Sequence, residues 1–218
     1  MRFWLLRIAP AFIASLVLCA QRPEAPAPDH PVNEPQGIPP RAGPSDYQAQ
    51  AKAGAVTIAA EFDEHNIPTP DGPLTTDSYV VVEAALFGGP ANLQLSFSDF
   101  SLRINGKKAA IPGQPYGLVI ESVKDPSLIP PEKEKSKTSL GAGGGQPGDP
   151  PPEPFKVPFE VQRAMAQRVK RASLAEGDRP LPQAGLLYFP YGGKAKGIHA
   201  VELIYSGPTG TATLKLQP

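Results

Sequence analysis

Proline decides what this chain can fold into. Of its 218 residues 29 are proline and a further 21 are glycine, and the prolines cluster. Each proline inside a helix removes a backbone donor and costs roughly 3 kcal/mol, so a mostly helical fold is excluded. Two stretches are especially dense. Residues 22–46 hold eight prolines in 25 positions, and residues 124–158 hold nine in 35. The first favours extended polyproline II and has few large apolar side chains, so it reads as a disordered tether over residues 21–50. The second, with Gly141, Gly143, Gly144 and Gly145 and a mixed-charge run from Glu132 to Lys137, reads as a long disordered Pro/Gly-rich insertion at about 124–156. Its glycines lack the strand-before, helix-after setting of a phosphate loop.

Residues 1–20 have the grammar of an export signal. Arg2 and Arg7 provide a positive start, Ile8 to Leu18 form an apolar run, and Cys19-Ala20 follow. The run is shorter than the ~20 residues of a membrane span. The expectation is an extracytoplasmic protein, periplasmic or secreted, cleaved after Ala20, with a retained N-terminal anchor as the alternative. Cys19 is the only cysteine, so no intrachain disulfide can form. Leu16-Val17-Leu18-Cys19 resembles a bacterial lipobox, which would make Cys19 a lipidation site and tether the protein to a membrane. Leu18 stands where that motif usually has Gly, Ala or Ser, and the other reading is a cysteine within a discarded signal.

Between and beyond the proline blocks the pattern is β. Ala55 to Phe62 is a short apolar strand. Ser78 to Phe87 is apolar on both faces, Val80, Val82, Ala84 and Leu86 on one and Tyr79, Val81, Ala85 and Phe87 on the other, which predicts a central strand. Glu83 interrupts the second face. From 92 to 104 the apolar phase changes once, from Leu93, Leu95 and Phe97 to Phe100, Leu102 and Ile104, so a bulge or turn is expected near Ser98-Asp99. Asn105-Gly106 predicts a type I′ hairpin that sets Ile104 opposite Lys107, Leu102 opposite Ala109 and Phe100 opposite Ile111. Tyr116 to Val123 reads as a further strand. Residues 159–176 are the one predicted amphipathic helix, with Val161, Met165, Val169 and Ala172 inward, Arg163, Lys170 and Arg171 on a solvated face and Gly177 as its terminator. The helix is expected to cover one end of a sandwich. Gly185–Phe189, Ile198–Tyr205 and Thr211–Leu216 complete the strands, with turns at Gly192-Gly193 and Gly207-Pro208. The expected fold is mainly β, an immunoglobulin-like β-sandwich of about seven to nine strands over residues 51–218.

The segments FSLRINGKK (100–108), KVPFEVQRAMAQRVKRASLAEGDRPLPQAGLLYF (156–189) and VELIYSGPTGTATLKLQP (201–218) resemble a family of uncharacterised exported bacterial proteins. The order of strands, helix and terminal strands is also similar to immunoglobulin-like domains of bacterial envelope lipoproteins. The resemblance implies a β-sandwich and an envelope location; it brings no activity and no binding residues.

Candidate chemistry is sparse. Lys and Arg (21) balance Asp and Glu (21), which argues against nucleic acid as a partner. His30 lies in the tether. Glu61-Phe62-Asp63-Glu64-His65-Asn66 is the densest set of hard oxygen ligands with an imidazole, and reads either as a cation loop or as a polar connection. His199 reads as a surface strand residue. Glu83, if buried, could act as a general acid; otherwise it pairs with a cation or faces solvent. No nucleophile motif is present. No catalytic, cofactor-binding or metal residue is therefore assigned, and no cofactor is expected. The leading expectation is a non-enzymatic cell-envelope structural or protein-interaction module, its partner an envelope protein or a glycan. A glycan- or divalent-ion-binding module, with Tyr79, Tyr116, Tyr188, Tyr191 and Tyr205 as a sugar platform, is the alternative, and a hydrolase comes third.

Overall fold

In the computed structural model of the chain, residues 35–128 and 157–218 are described. The export signal with Cys19, His30, the first part of the tether and residues 129–156 of the expected insertion lie outside them.

The strand Tyr79–Gly88 (β5) is central, as its two apolar faces require. It pairs antiparallel with Val56–Phe62 (β2) on one side and Gln183–Pro190 (β11) on the other, and Ala49–Ala53 (β1) extends the sheet beyond β2. A second antiparallel sheet has the order Gly210–Leu216 (β13), Val201–Gly207 (β12), Phe100–Ile104 (β7), Ile111–Pro112 (β8). The two pack face to face. Val80, Val82, Ala84 and Leu86 from β5 meet Phe100, Leu102, Leu203, Tyr205 and Leu214 in one apolar cluster. Phe100 and Tyr205, paired across β7 and β12, bring their ring centroids to 5.1 Å. The mainly β sandwich expected from the strand count is present.

The phase break at residues 92–104 has the cause the pattern implied. Asn92–Leu95 (β6) pairs with Gly177–Pro180 (β10) as a separate ribbon, a 3-10 turn at Phe97–Asp99 follows, and β7 then joins the second sheet. Ser96 caps the turn by accepting the Ser98 N–H at 3.2 Å.

The outer face of the first sheet is covered as well, so the molecule has a third layer. Over β5 and β11 lies the helix Phe159–Ala172 (α2), beside a small sheet of Asn66–Ile67 (β3), Leu74–Thr76 (β4) and Val123–Lys124 (β9). Met165, Val169 and Ala172 meet Val81, Leu186 and Tyr188 there. The helix thus covers a sheet face rather than an end of the sandwich. Arg168 fixes it in place by donating to the carbonyls of Gly72 at 2.7 Å and Asp71 at 3.1 Å and to the Asp125 carboxylate at 3.2 Å. The remainder of the outer face is covered by residues 36–47.

Five further expectations are corrected. Residues 35–50, counted with the tether, belong to the fold: Ile38 bridges to Ala184, Tyr47 is buried and β1 begins at Ala49. Of the expected insertion, residues 124–128 are also ordered, through β9 and a 3-10 turn at Pro126–Leu128. Tyr116–Val123 is not a strand. Pro115 precedes one helical turn at Tyr116–Val119 (α1), and this turn buries Val119 while leaving Leu118 56% exposed. A short apolar run suits either period, and the burial of Val119 is achieved by a helical turn here. The helix α2 stops at Ala172, not at 176, because Ser173 and Leu174 leave it to join β11. The Ser173 hydroxyl donates to Val169 O at 2.7 Å and the Leu174 N–H to Leu186 O at 3.1 Å. Gly177 instead opens β10 with a φ of 87°. Finally, the turn at Asn105-Gly106 has the expected positive φ angles, but Leu102 faces Ile111, a register two residues later than predicted. Asn105 is bound elsewhere: its side chain donates to Gly197 O at 2.7 Å and accepts the His199 N–H at 2.7 Å, so the turn is moored to the start of β12.

The crossing of the helix exit over β11 leaves no room at Gly185. A Cβ there would lie 2.3 Å from Leu174 Cα, a backbone atom that cannot move without breaking the Leu174–Leu186 bond. Gly185→Ala is expected to cost about 1–3 kcal/mol, read as a lower urea midpoint with an unchanged slope.

Candidate functional site

The groups with chemical potential gather on the outer face of the first sheet. Glu61 on β2 and Glu83 on β5 are directly opposite in register and point the same way. Like charges so placed repel. Arg41, from the segment ahead of β1, resolves this. Its Nη2 donates to Glu83 Oε2 at 3.0 Å and its Nη1 pairs with Glu61 Oε2 and donates to Asp46 O at 2.7 Å. The Glu83 side chain is only 8% exposed, against 36% for Glu61, so the Arg41–Glu83 contact is the better shielded of the two. The guanidinium also lies 4.5 Å from the centroid of the Tyr47 ring, whose hydroxyl accepts the Arg41 N–H at 3.1 Å.

Asp63 adds a third carboxyl. It stands two residues beyond Glu61 on the same face and its N–H donates to Val81 O at 3.0 Å. Its Oδ2 is buried with no hydrogen-bond partner. Burial, reinforced by the charges of Glu83 and Glu61 and opposed by Arg41, pushes its carboxyl up to about 7. Three carboxyls thus face one guanidinium, and the least compensated of them holds its proton to near neutrality. The arrangement is an ion-pair cluster with one protonatable member.

Of the two readings of residues 61–66, the cation loop finds no support, because its candidate ligands are dispersed. Glu64 occupies a left-handed turn with φ 54°, and both His65 ring nitrogens are engaged by main-chain carbonyls rather than by Asp63. The His65 Nδ1 is 2.7 Å from Tyr79 O and its Nε2 3.1 Å from Gly193 O, and the ring stacks on Tyr191 with centroids 6.2 Å apart. The imidazole therefore ties β5 to the loop after β11, at the margin of an open cleft of about 540 Å³ shared with Thr76, Asp77 and Lys194. Among the described residues no group of three or more His, Cys, Asp or Glu is placed to hold a metal ion. His199 is exposed on the lead-in to β12. Of the tyrosines, Tyr188 and Tyr205 are in the core. Tyr79 donates its hydroxyl to Leu118 O at 3.2 Å, Tyr116 lies under Lys170 at 5.8 Å, and Tyr191 has His65 on it and Gly193 against it. The five rings do not form one platform.

Glu83 was visible in the sequence as the single acid of an apolar strand. Its partner was not, since Arg41 sits among prolines; Glu61 and Asp63 stood out only as members of the acidic run at residues 61–66, not as neighbours of Glu83. Comparison with protein-family models, curated proteins and solved structures finds no match.

The cluster generates two expectations. Arg41→Ala leaves Glu83 facing Glu61 with no cation and should cost about 1–3 kcal/mol, discounted for the partial exposure of Arg41. Glu83→Gln should cost less, because it also ends the repulsion; chemical denaturation of both variants at pH 7 checks the order. For Asp63, the folded carboxyl at about 7 lies above its unfolded value near 3.8. The folded state binds more protons between these values, so stability falls as pH rises from about 4 to 7. Asp63→Asn should remove that fall: its melting temperature should match the parent near pH 4 and exceed it at pH 8.

Proposed function

We propose that this chain is an exported, non-enzymatic module of the cell envelope that works through a protein contact. The observation that carries this reading is the engagement of Glu83. The one acid that could have been a buried general acid is held by Arg41, an always-protonated partner 3.0 Å away. His65, the other candidate, spans two main-chain carbonyl oxygens. Both groups act as ties between segments. A sandwich with a third layer over one sheet is a scaffold on which surface segments can be presented. Export rests on the reading of residues 1–20, and the envelope setting on the resemblance of residues 100–108, 156–189 and 201–218. Among the described residues no helix is long and apolar enough to cross a membrane.

Two measurements test the proposal. Mass spectrometry of the native N-terminus should find cleavage after Ala20 or a lipid on Cys19; an intact, cytoplasmic Met1 form overturns export. In a broad hydrolase screen the purified protein should turn over nothing. Turnover abolished by Glu83→Gln or His65→Ala would establish an enzyme instead, and proximity labelling in the envelope identifies the neighbours that an interaction module must have.

A further inference from the structure

Residues Gln36 to Tyr47 lie on the first sheet as a peptide lies in a binding groove. The floor is built in rows. Ala59, Ala85 and Ala184 are aligned across β2, β5 and β11, and all three are fully buried. The next row along the strands is Glu61, Glu83 and Leu186. Three alanines side by side leave a trough in a sheet face, and the acids beside it supply charge.

The segment reads both rows. Tyr47 fills the alanine trough with Ile38 and Phe87 beside it, its ring edge-on to Phe87 at 6.0 Å. Arg41 reaches Glu83 and Glu61 in the acidic row. At the other margin Ile38 N–H donates to Ala184 O at 3.0 Å in an antiparallel bridge on the edge strand β11, and Gln183 Nε2 donates to Gln36 O at 3.0 Å. Gly37, at φ +80°, lets the chain approach so closely that a Cβ would meet Ala184 O at 2.2 Å. Backbone pairing with a sheet edge, plus anchors in side-chain pockets, is how sheets recognise extended peptides.

The same segment is weakly fastened. Pro39 and Pro40 have no N–H, so the ladder cannot continue past the single bridge at Ile38. Pro39, Ala42, Ser45 and Asp46 are exposed. Held by one backbone bridge, the Gln183–Gln36 hydrogen bond, one guanidinium and the side chains of Ile38 and Tyr47, the segment opens at a lower cost than the fully paired strands beneath it. The charge beneath it is also unbalanced: two carboxylates, Glu61 and Glu83, share the one guanidinium of Arg41.

We infer that the trough of Ala59, Ala85 and Ala184 with the acidic pair Glu61 and Glu83 is a docking groove for an extended, arginine-bearing protein segment, and that residues 36–47 occupy it in the free protein as a detachable latch. The inference rests on the interaction-module reading and names the chemistry of its partner. The partner pairs with β11 at Ala184, places an aromatic or aliphatic side chain over the alanines and inserts a guanidinium between the acids. Because the latch is tethered, its effective concentration is high, and it outcompetes a free segment until it is weakened.

The probe is a labelled synthetic peptide of residues 35–48, titrated by fluorescence anisotropy into the full chain. The Arg41→Ala chain should bind it at least tenfold more tightly than the parent chain. A peptide in which Arg41 is replaced by alanine, or a chain carrying Arg41→Ala with Glu83→Gln, should lose that gain. Equal binding of both peptides, or none to the Arg41→Ala chain while its circular dichroism is native, overturns the inference. Should Arg41→Ala not fold, amide exchange in the parent decides: the Ile38 amide should exchange at least a hundredfold faster than those of β5, and equal protection means that the latch does not open. Neither result bears on the hydrolase screen or the proximity labelling, so this inference and the proposed function fail separately.

Discussion

A sheet that is apolar on both faces has to be covered twice, and the rest of this structure follows from that. β5 carries Val80, Val82, Ala84 and Leu86 to one side and Val81 and Ala85 to the other, and all are fully buried. The first face meets a second sheet, which accounts for the sandwich. The second face cannot be left to water, since exposing it would forfeit the burial of Val81, Leu186 and Tyr188, at about 25 cal/mol per Å² of apolar surface. The chain closes it with pieces distant in sequence: residues 36–47, the small sheet with α1, and α2 from beyond residue 156.

The two halves of that third layer are held differently. Under α2 the contact is apolar, and the polar work is done at its rim by Arg168, whose guanidinium ends three separate loop carbonyl and carboxylate contacts. Ser173 serves the helix end, donating to Val169 and lying 3.2 Å from the buried Tyr188 hydroxyl. Under residues 36–47 the contact is small side chains and carboxylates. The first half is fixed by apolar packing together with the Arg168 contacts at its rim. The second is held by one guanidinium, one backbone bridge and the Tyr47 ring, and the raised carboxyl of Asp63 follows from placing acids in a face that is otherwise dry.

Legibility in the sequence followed the same division. β2, β5, the break between β6 and β7, and β11 to β13 could be read because a period of two leaves an unambiguous trace when one face or both are buried. α2 could be read from Met165, Val169 and Ala172, but its end could not: Ser173 leaves the helix for a partner on β11, and local propensity carries no record of β11. The hairpin after Asn105 shows the same limit. Its turn residues behave as their type demands, while the pairing falls two residues from the register they imply, and Asn105 is bound to Gly197 and His199, residues the local sequence does not announce. Residues 35–50 show where composition misleads. Proline density argues against burying enough surface, yet Ile38, Arg41 and Tyr47 needed only a prepared surface. The sequence carries one sign of that surface, Glu83 as the single acid of an apolar strand; that it lies beside Glu61 is a matter of register between two strands, which the sequence does not record.

The acidic row is hard to explain as a stabilising device. A buried ion pair must offset the desolvation of both charges, and an apolar substitute of similar volume is often as stable or more so. Leu186, in the same row, shows that an apolar side chain is compatible with the position beside Glu83. What Glu61 and Glu83 supply that leucines could not is direction. Ile38 and Tyr47 could sit on three alanines in more than one register, because alanine presents no feature along the strand. A guanidinium that must lie between two carboxylates, with its Nη1 also on Asp46 O, leaves one. The ion pair therefore selects which segment lies in the trough and how, and the surplus of carboxyl over guanidinium keeps the surface beneath receptive to a cation when that segment lifts away.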